Sequence, residues 1–352
     1  MSGDFLLYGS YGYTGRLIVH HALAAGLRPL LAGRDARTLA AQAAEAGLDH
    51  LAFPLDDAAA LGAALARVPV VLLAAGPFSR TAAPVVEACL STGTHYVDIT
   101  GEISVFEALA GAGTLAEGRG VMLLSGAGYD VVPSDCLAAH LKRRLPSATR
   151  LRIAIHGVGG GISRGTAATG VEILAGGGIV RRGGRLVRVP HASREIQVDF
   201  GRGPRTATLF PWGDVATAWY STGIPDFEVY RRLAPAERRV LVAARYLAPL
   251  LRVGAVQRFL QSRFRRGAAG PGDEARAEAS TIVWGEVTDD ADGRAVSRLR
   301  TGDAYELTAA ATVAAVRKVL AGNAPPGFRT PASAYGADWV LELPDVTRED
   351  VE

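Results

Sequence analysis

The sequence has little of what several common chemistries need. Its two cysteines, Cys89 and Cys136, have neither a CxxC neighbour nor a metal-ligand spacing. A disulfide framework and a thiolate metal site are therefore disfavoured, and a reducing, cytoplasmic setting is expected. Seven histidines show no HExxH-type pairing, and no metal site is expected. Lysine occurs only at Lys142 and Lys318, neither in an evident loop site, which argues against a lysine acid or a Schiff base. No apolar run approaches the ~20 residues that a membrane span requires. The opening residues are polar and then enter a strand, so no signal peptide is expected. Neither an internal repeat nor a long low-complexity linker breaks up the chain.

What remains is a globular composition. The chain has 352 residues, 49% hydrophobic and 21% charged, enough for two domains with a substantial core. The net charge of +3 is unevenly spread: Arg231 to Arg266 holds ten arginines and one acid, Glu237, a local balance of +9 against −6 for the rest. This is either a solvated helix face or a docking surface for an anionic partner, such as a carrier protein, coenzyme A or a membrane surface. Aromatic residues are few there, which disfavours nucleic acid.

The most informative stretch lies near the start. The apolar run Phe5 to Tyr8 ends in Gly9-Ser10-Tyr11-Gly12-Tyr13-Thr14-Gly15, and a helix-like pattern follows. Strand, tight turn and helix in this order are the context of a dinucleotide-binding turn. Gly9 allows the sharp turn, Gly12 lets backbone approach a pyrophosphate, and Gly15 lets helix and strand pack closely. Unpaired N–H groups at the new helix end favour a phosphate. The helix is expected over Thr14 to Ala25, with Gly26 closing it. A second strand, Arg28 to Ala32, leads into Gly33-Arg34-Asp35. An acid at this strand end would bind the ribose 2′-hydroxyl of NAD. Arg34 instead suits a 2′-phosphate, so NADP(H) is favoured. Asp35 reads as the N-cap of the next helix, Ala36 to Ala46.

The alternation then continues. His50 to Pro54 is a third strand, followed by Asp56-Asp57; Asp56 is placed to hydrogen-bond adenine, and a helix-cap role for either acid is the rival reading. Pro69 to Phe78 reads as a buried strand and a small-residue loop, where Ala75, Gly76, Pro77 and Phe78 let a cofactor pass close to the backbone. A helix over Thr81 to Gly93 leads to a fifth strand, His95 to Ile99, which ends in Thr100-Gly101-Glu102. A helix from Val105 to Glu117 then leads to a sixth strand, Val121 to Leu124. Six strands alternating with helices through short connections predict an α/β fold: a doubly wound parallel sheet, the Rossmann arrangement.

Beyond the sixth strand, small residues and Pro133 mark a bend, and Ser134 or Asp135 is expected to cap a helix running to Leu145. Leu151 to His156 reads as a strand and Gly157 to Gly161 as a flexible turn. Ser163 is placed to cap a helix from Gly165. Val187 to Val189, Ile196 to Phe200, Thr206 to Phe210 and Ala216 to Tyr220 read as an antiparallel meander. Ala236 to Leu251 has a helical stripe at Val240, Ala244, Leu247 and Leu251, with Pro249 set to kink it. Thr281 to Val287 and Ala295 to Arg300 flank Asp292-Gly293 as a hairpin, and Tyr305 to Leu320 is a helix.

Taken together, Gly9 to Gly15, Ala32-Gly33-Arg34, Gly76-Pro77-Phe78, Tyr96 to Glu102 and Gly128 to Asp135 resemble the saccharopine dehydrogenase-like oxidoreductases, a broad family that includes the trans-acting enoyl reductases. Ser163-Arg164-Gly165-Thr166 and Gly327 to Pro331 fit further motifs of that family. Tyr11 stands where a small hydroxyl residue is common. The resemblance implies an NADP-binding Rossmann domain and then an α/β domain with a mixed sheet, which supplies the substrate pocket and a homodimer contact. The expected division is 1–130 for the NADP domain, 131–322 for the substrate and dimerisation domain, and 323–352 as a C-terminal segment packing back on the first. The cofactor residues on this reading are Gly9, Ser10, Tyr11, Gly12, Tyr13, Thr14, Gly15, Arg34, Asp56, Ala75, Gly76, Pro77, Phe78, Thr100, Gly101 and Glu102.

A nicotinamide enzyme must position hydride and acceptor and manage one proton. Tyr129, Asp130, Ser163 and Thr166 are the catalytic candidates; turn formation for Asp130 and helix capping for Ser163 and Thr166 are the rival roles. His156 reads as a structural histidine. No Tyr-x-x-x-Lys pair stands where a short-chain dehydrogenase needs one. The expected function is NADPH-dependent reduction of an activated C=C, in an enoyl thioester or related unsaturated carbonyl, on a small-molecule or carrier-tethered acyl substrate. The basic Arg231 to Arg266 segment would dock an acyl carrier protein or hold the protein peripherally at a membrane. An imine or amino-acid-forming dehydrogenase is the alternative, with Arg164, Arg181 and Arg182 as candidate carboxylate ligands. An NADP-binding sensor or scaffold without turnover is the alternative of another class.

Overall fold

The computed structural model describes residues 3–251, 253–257, 259 and 270–351. They fall into two compact units. The first comprises the residues up to Val132 with Tyr305–Tyr335; the second comprises Pro133–Ala304 and the residues from Gly336 onward.

In the first unit, strands β1 (Leu6–Tyr8), β2 (Leu30–Gly33), β3 (His50–Ala52), β4 (Val70–Leu73), β5 (His95–Asp98) and β6 (Met122–Leu124) alternate with helices. The helices are α1 (Tyr13–Ala24), α2 (Ala36–Ala46), α3 (Ala58–Leu65), α4 (Phe78–Thr92), α5 (Ile103–Gly111) and α6 (Gly113–Gly118). All pairings in the sheet are parallel, and its order is β6-β5-β4-β1-β2-β3. A seventh strand, Gly327–Arg329, pairs with β6 at the outer edge. The order reverses between β4 and β1, which opens a crevice at the carboxyl ends of those strands. Leu6, Leu7, Leu30, Leu31, Val70, Val71, Leu72, Leu73 and Leu123 are fully buried. Such strands are covered by helices on both faces, which is why they read as continuous apolar runs. Each side chain of this kind stabilises the fold by roughly 1.5–3 kcal/mol. The single helix expected over Val105 to Glu117 is two, α5 and α6, divided at Ala112 between Gly111 and Gly113.

The second unit opens with α7 (Val132–Arg144) and β7 (Arg150–Val158), then α8 (Arg164–Gly176), β8 (Gly178–Arg182) and β9 (Arg185–Val189). Gly183 and Gly184, both at positive φ (52° and 75°), make the two-residue turn that joins β8 to β9. Next come β10 (Glu195–Asp199), β11 (Pro204–Leu209), α9 (Asp214–Thr222), β12 (Asp226–Arg231), α10 (Pro235–Leu251), and the hairpin β13 (Ser280–Thr288) and β14 (Arg294–Thr301). The mixed sheet runs β10-β11-β12-β7-β13-β14 and ends on the strand Thr347–Asp350, with β8 on β12 and β9 on β8. Among the described residues, only β12 and β7 pair in parallel in this sheet.

Several expectations are corrected here. Ala216 to Tyr220 is not a strand but the middle of α9, which Asp214 opens and Gly223 (φ 68°) closes. Its alternating small residues, Ala216 and Ala218, are buried by a helix face. The strands β8, β12 and Thr347–Asp350 carry no clear strand pattern in the sequence. In β12 the acid Glu228 is buried and ion-paired to Arg182 and Arg194, which hides a central strand behind a charged sequence. Ser134 and Asp135 do not cap a helix, because α7 already begins at Val132. Ser134 Oγ donates to Asp214 Oδ1 (2.7 Å) and Ser221 Oγ donates to Asp135 Oδ1 (2.6 Å), tying α7 to α9. On α10 the packed residues are Leu241 and Ala244, whereas Val240 (56%) and Leu247 (50%) are exposed. The helix Ala304–Leu320, expected in the second domain, belongs to the first from Tyr305 onward, and the tail from Gly336 belongs to the second. Of the basic segment, Arg252, Arg258, Arg263, Arg265 and Arg266 lie outside the described residues.

Candidate functional site

The turn after β1 shows why its glycines are needed. Gly9 has φ 93°, and a Cβ there would stand 2.9 Å from Ala74 C and Ala75 Cβ. At Gly15 a Cβ would stand 2.3 Å from the Gly9 carbonyl oxygen. Gly12 is the N-cap of α1; it brings no capping side chain, and no acid lies in the first turn. The N-terminal N–H groups of Tyr13 and Thr14 therefore lead a helix end suited to an anion. Tyr13 stacks edge-on against Tyr305 at 4.9 Å. Ser10 departs from its expected side-chain role. It is fully buried, its Oγ donates to Gln42 Oε1 (2.8 Å), and Gln42 Nε2 donates back to the Ser10 carbonyl (2.9 Å). The hydroxyl thus anchors the turn to α2, leaving Ser10 only its backbone for a ligand.

On the β2–β3 side, the Tyr11 ring lies against Gly33, where a Cβ would meet Tyr11 Cε1 at 2.4 Å. The Tyr11 hydroxyl accepts from Asp35 N (3.3 Å). A small residue at position 11 could not cover this glycine, which accounts for the unusual tyrosine. Asp35 caps α2 through Thr38 N (3.0 Å), and these bonds hold its carboxyl below the usual range. Asp57, accepting from Ala60 N (2.9 Å), is the cap of α3. Asp56 is left exposed at the end of β3. Tyr8 donates to the Phe53 carbonyl (2.9 Å). Its phenol is pushed up to about 12, first by burial and then by Tyr11, while Arg34 opposes this and Asp56 adds to it. Tyr11, Arg34 and Asp56 thus surround one end of the sheet edge.

On the β4–β6 side, Glu102 accepts from Phe78 N (2.7 Å) and Ser79 N (2.8 Å), so its carboxylate fills the N-terminus of α4. Thr81 Oγ1 donates to the Ala75 carbonyl (2.7 Å), which fixes the Ala75-Gly76-Pro77-Phe78 loop from the same helix. Thr100 is buried and its Oγ1 accepts from Glu102 N (3.0 Å). Thr100 and Glu102 therefore shape this rim with their side chains turned to protein. Over Gly101 lies Asp130: a Cβ on Gly101 would stand 2.9 Å from Asp130 Oδ2. Tyr129 N donates to Thr308 Oγ1 (3.0 Å). Tyr129 and Asp130 are thus brought to the carboxyl ends of β5 and β6. Ser163 and Thr166 belong to the second unit, where Ser163 Oγ caps α8 by accepting from Thr166 N (3.2 Å), and the two hydroxyls are 3.1 Å apart. Among the described residues no group of three His, Cys, Asp or Glu side chains is arranged to hold a metal ion. No described helix is long and apolar enough to cross a membrane.

Residues 5–119 match the saccharopine dehydrogenase NADP binding domain. The fold is that of saccharopine dehydrogenase (L-Glu forming) from Saccharomyces cerevisiae, which aligns over 100% of both chains with a TM-score of 0.66 at 14% identity. The chain is also similar to trans-acting enoyl reductases. That of Mycobacterium leprae is 36% identical over 150 residues, covering 40% of this chain and 36% of its own. That of Mycobacterium bovis is 34% identical over 149 residues, with the same coverage. The chain spans less than half the length of the curated relatives it matches.

The residues of the first unit fit NADP(H). The α1 end is uncapped and free of acids, Gly12 leaves the backbone bare, and Arg34 is exposed and makes no ion pair among the described residues. When bound, the cofactor supplies hydride. The α1 end would hold its pyrophosphate and Arg34 its 2′-phosphate. Arg34→Ala is expected to raise the NADPH Kd roughly 10- to 100-fold, the loss of charge-assisted hydrogen bonds, and to leave NADH within about two-fold. Fluorescence titration with both nucleotides checks this; equal loss for both would remove Arg34 from the 2′-phosphate. Asp98, the buried acid at the end of β5, has no separate sequence signal, because its partners lie up to 28 residues away.

Proposed function

We propose that the chain is an NADPH-dependent oxidoreductase that reduces an activated C=C bond, in an enoyl thioester or related unsaturated carbonyl. The observation that carries this reading is the placement of Asp130 against Gly101, with the neighbouring Tyr129 held by Thr308, at the edge of a nucleotide site whose residues fit NADP(H). When bound, NADPH would supply the hydride for the β-carbon and be oxidised to NADP+, while the α-carbon would take a proton. Tyr129 and Asp130, or water held by them, supply the proton.

The amino-acid-forming alternative needs arginines for a substrate carboxylate, and two of its three candidates are engaged elsewhere. Arg181 is buried, donates to the carbonyls of Val215 (2.9 Å) and Gly184 (2.7 Å), and lies over the Trp219 ring at 5.5 Å. Arg182 is bonded to Glu228. The relatives named as trans-acting enoyl reductases favour C=C in the same direction. A carrier-tethered acyl substrate suits α10, whose outer surface exposes Tyr246 (74%), Val240 and Leu247 beside Arg239 and Arg245 and would dock an acidic carrier protein.

The test is deuterium transfer from 4-deuterated NADPH into acceptors of each class. Label on the β-carbon of an enoyl thioester is expected. Consumption of NADPH with imines, or with an α-keto acid and amine, but never with enoyl substrates would overturn the reading. Binding without transfer to any acceptor would favour a sensor.

A further inference from the structure

We propose that Asp98 is the positioning residue for the nicotinamide half of the cofactor site, clamping the loops that follow β5 and β6 into one rim. The proposal rests on NADP(H) binding by the first unit.

Asp98 is the last residue of β5 and is fully buried. Its carboxylate accepts from four donors, drawn from both sides. From β5 and its loop come Tyr96 OH (2.8 Å) and Thr100 N (3.1 Å). From the loop after β6 come Gly126 N (2.7 Å) and Ser125 Oγ, 3.1 Å from both carboxylate oxygens. The Asp98 carbonyl also accepts from Ala127 N (2.7 Å). All of these donors are neutral, so an ionised carboxylate is kept here without a cation, which is costly unless its geometry is used. Its use is evident in what the two loops carry. Parallel strands end with backbone N–H groups that the ladder no longer pairs, and a single carboxylate oxygen, Oδ1, serves Thr100 N and Gly126 N together. Thr100 precedes Gly101, and Gly126 leads to Tyr129 and Asp130. The close approach of Asp130 to Gly101 is therefore anchored on both sides by the same carboxyl group.

The other half of the nucleotide site stands apart from this clamp. The turn after β1, Arg34 and Asp56 lie at the ends of β1, β2 and β3, across the β1/β4 crevice. A ligand with only the adenine, ribose and 2′-phosphate therefore does not need Asp98, whereas one that continues onto the β4–β6 side does. A residue that merely held the fold together would affect both ligands alike.

The experiment compares wild type, Asp98→Ala and Asp98→Asn for binding of 2′,5′-ADP and NADPH by calorimetry. Asparagine keeps a carbonyl oxygen for Thr100 N and Gly126 N, and the rotatable hydroxyls of Tyr96 and Ser125 accept from its amide. Asp98→Ala is expected to leave the 2′,5′-ADP Kd within about two-fold and to weaken NADPH by about ten-fold or more, and Asp98→Asn to restore NADPH to within about three-fold. Ser125→Ala, which removes one donor on the β6 side, shifts NADPH in the same direction by a smaller factor and serves if Asp98→Ala does not fold. Parallel weakening of both ligands, or NADPH binding unchanged in both alanine variants, overturns the proposal. Wild-type protein that binds neither ligand overturns the NADP reading itself, and this inference with it.

Discussion

Gly15→Ala is expected to abolish measurable NADPH binding and to destabilise the protein by about 3 kcal/mol or more, as read by urea unfolding. The added methyl would stand 2.3 Å from the Gly9 carbonyl oxygen, 2.6 Å from the Ser10 carbonyl oxygen and 2.8 Å from the Ser10 carbonyl carbon. All three are backbone atoms, so no side chain can swing aside. Helix α1 must move off the turn, and with it the N–H groups that would hold a pyrophosphate. Gly62→Ala is the matched control: it lies inside α3 with open space around a new Cβ. There alanine is expected to be neutral or to stabilise by up to about 1 kcal/mol through helix propensity. Normal nucleotide affinity in Gly15→Ala would mean that the turn is not a phosphate site.

Asp98→Asn is expected to remove a pH dependence of stability between about pH 4 and pH 6, amounting to ~3 kcal/mol. Burial raises the Asp98 carboxyl from 3.8 to about 6, with the bonds from Gly126, Thr100, Tyr96 and Ser125 opposing it. The sign follows from proton uptake. Between those two pH values the folded protein holds this proton more tightly than the unfolded chain, so the group's contribution is greatest below about pH 4 and declines until pH passes 6. Asparagine, always neutral, lacks that decline. Chemical denaturation of both proteins across pH 4–7 checks the difference; curves that stay parallel would show that Asp98 titrates no differently folded than unfolded.

The first unit was legible because its signals are local. Buried parallel strands are unbroken apolar runs, the glycine spacing states its own turn, and Asp35 sits in sequence where its capping role is exercised. Legibility failed where a side chain serves a distant stretch. Ser10 lies within the glycine turn, yet its hydroxyl belongs to Gln42. Glu102 follows a cofactor-type motif, yet its carboxylate goes to the first turn of α4. Asp98 was visible within Tyr96 to Glu102, but nothing in sequence distance ties it to Gly126. In the second unit the burial of Glu228 under arginines disguised β12, and small residues gave α9 the period of a strand. Charge satisfied by tertiary partners leaves no mark on hydropathy.

The strand Gly327–Arg329 closes the outer edge of the parallel sheet against β6. A ribosome making this chain finishes β6 and then the whole of Pro133–Ala304 before that strand emerges. Until then the nascent nucleotide-binding unit carries an open parallel edge, the kind of surface that invites pairing with another chain. Completion of this unit therefore waits on translation of Pro133–Ala304, and the second unit waits in turn for its own edge strand Thr347–Asp350, which follows Gly327–Arg329 in the chain.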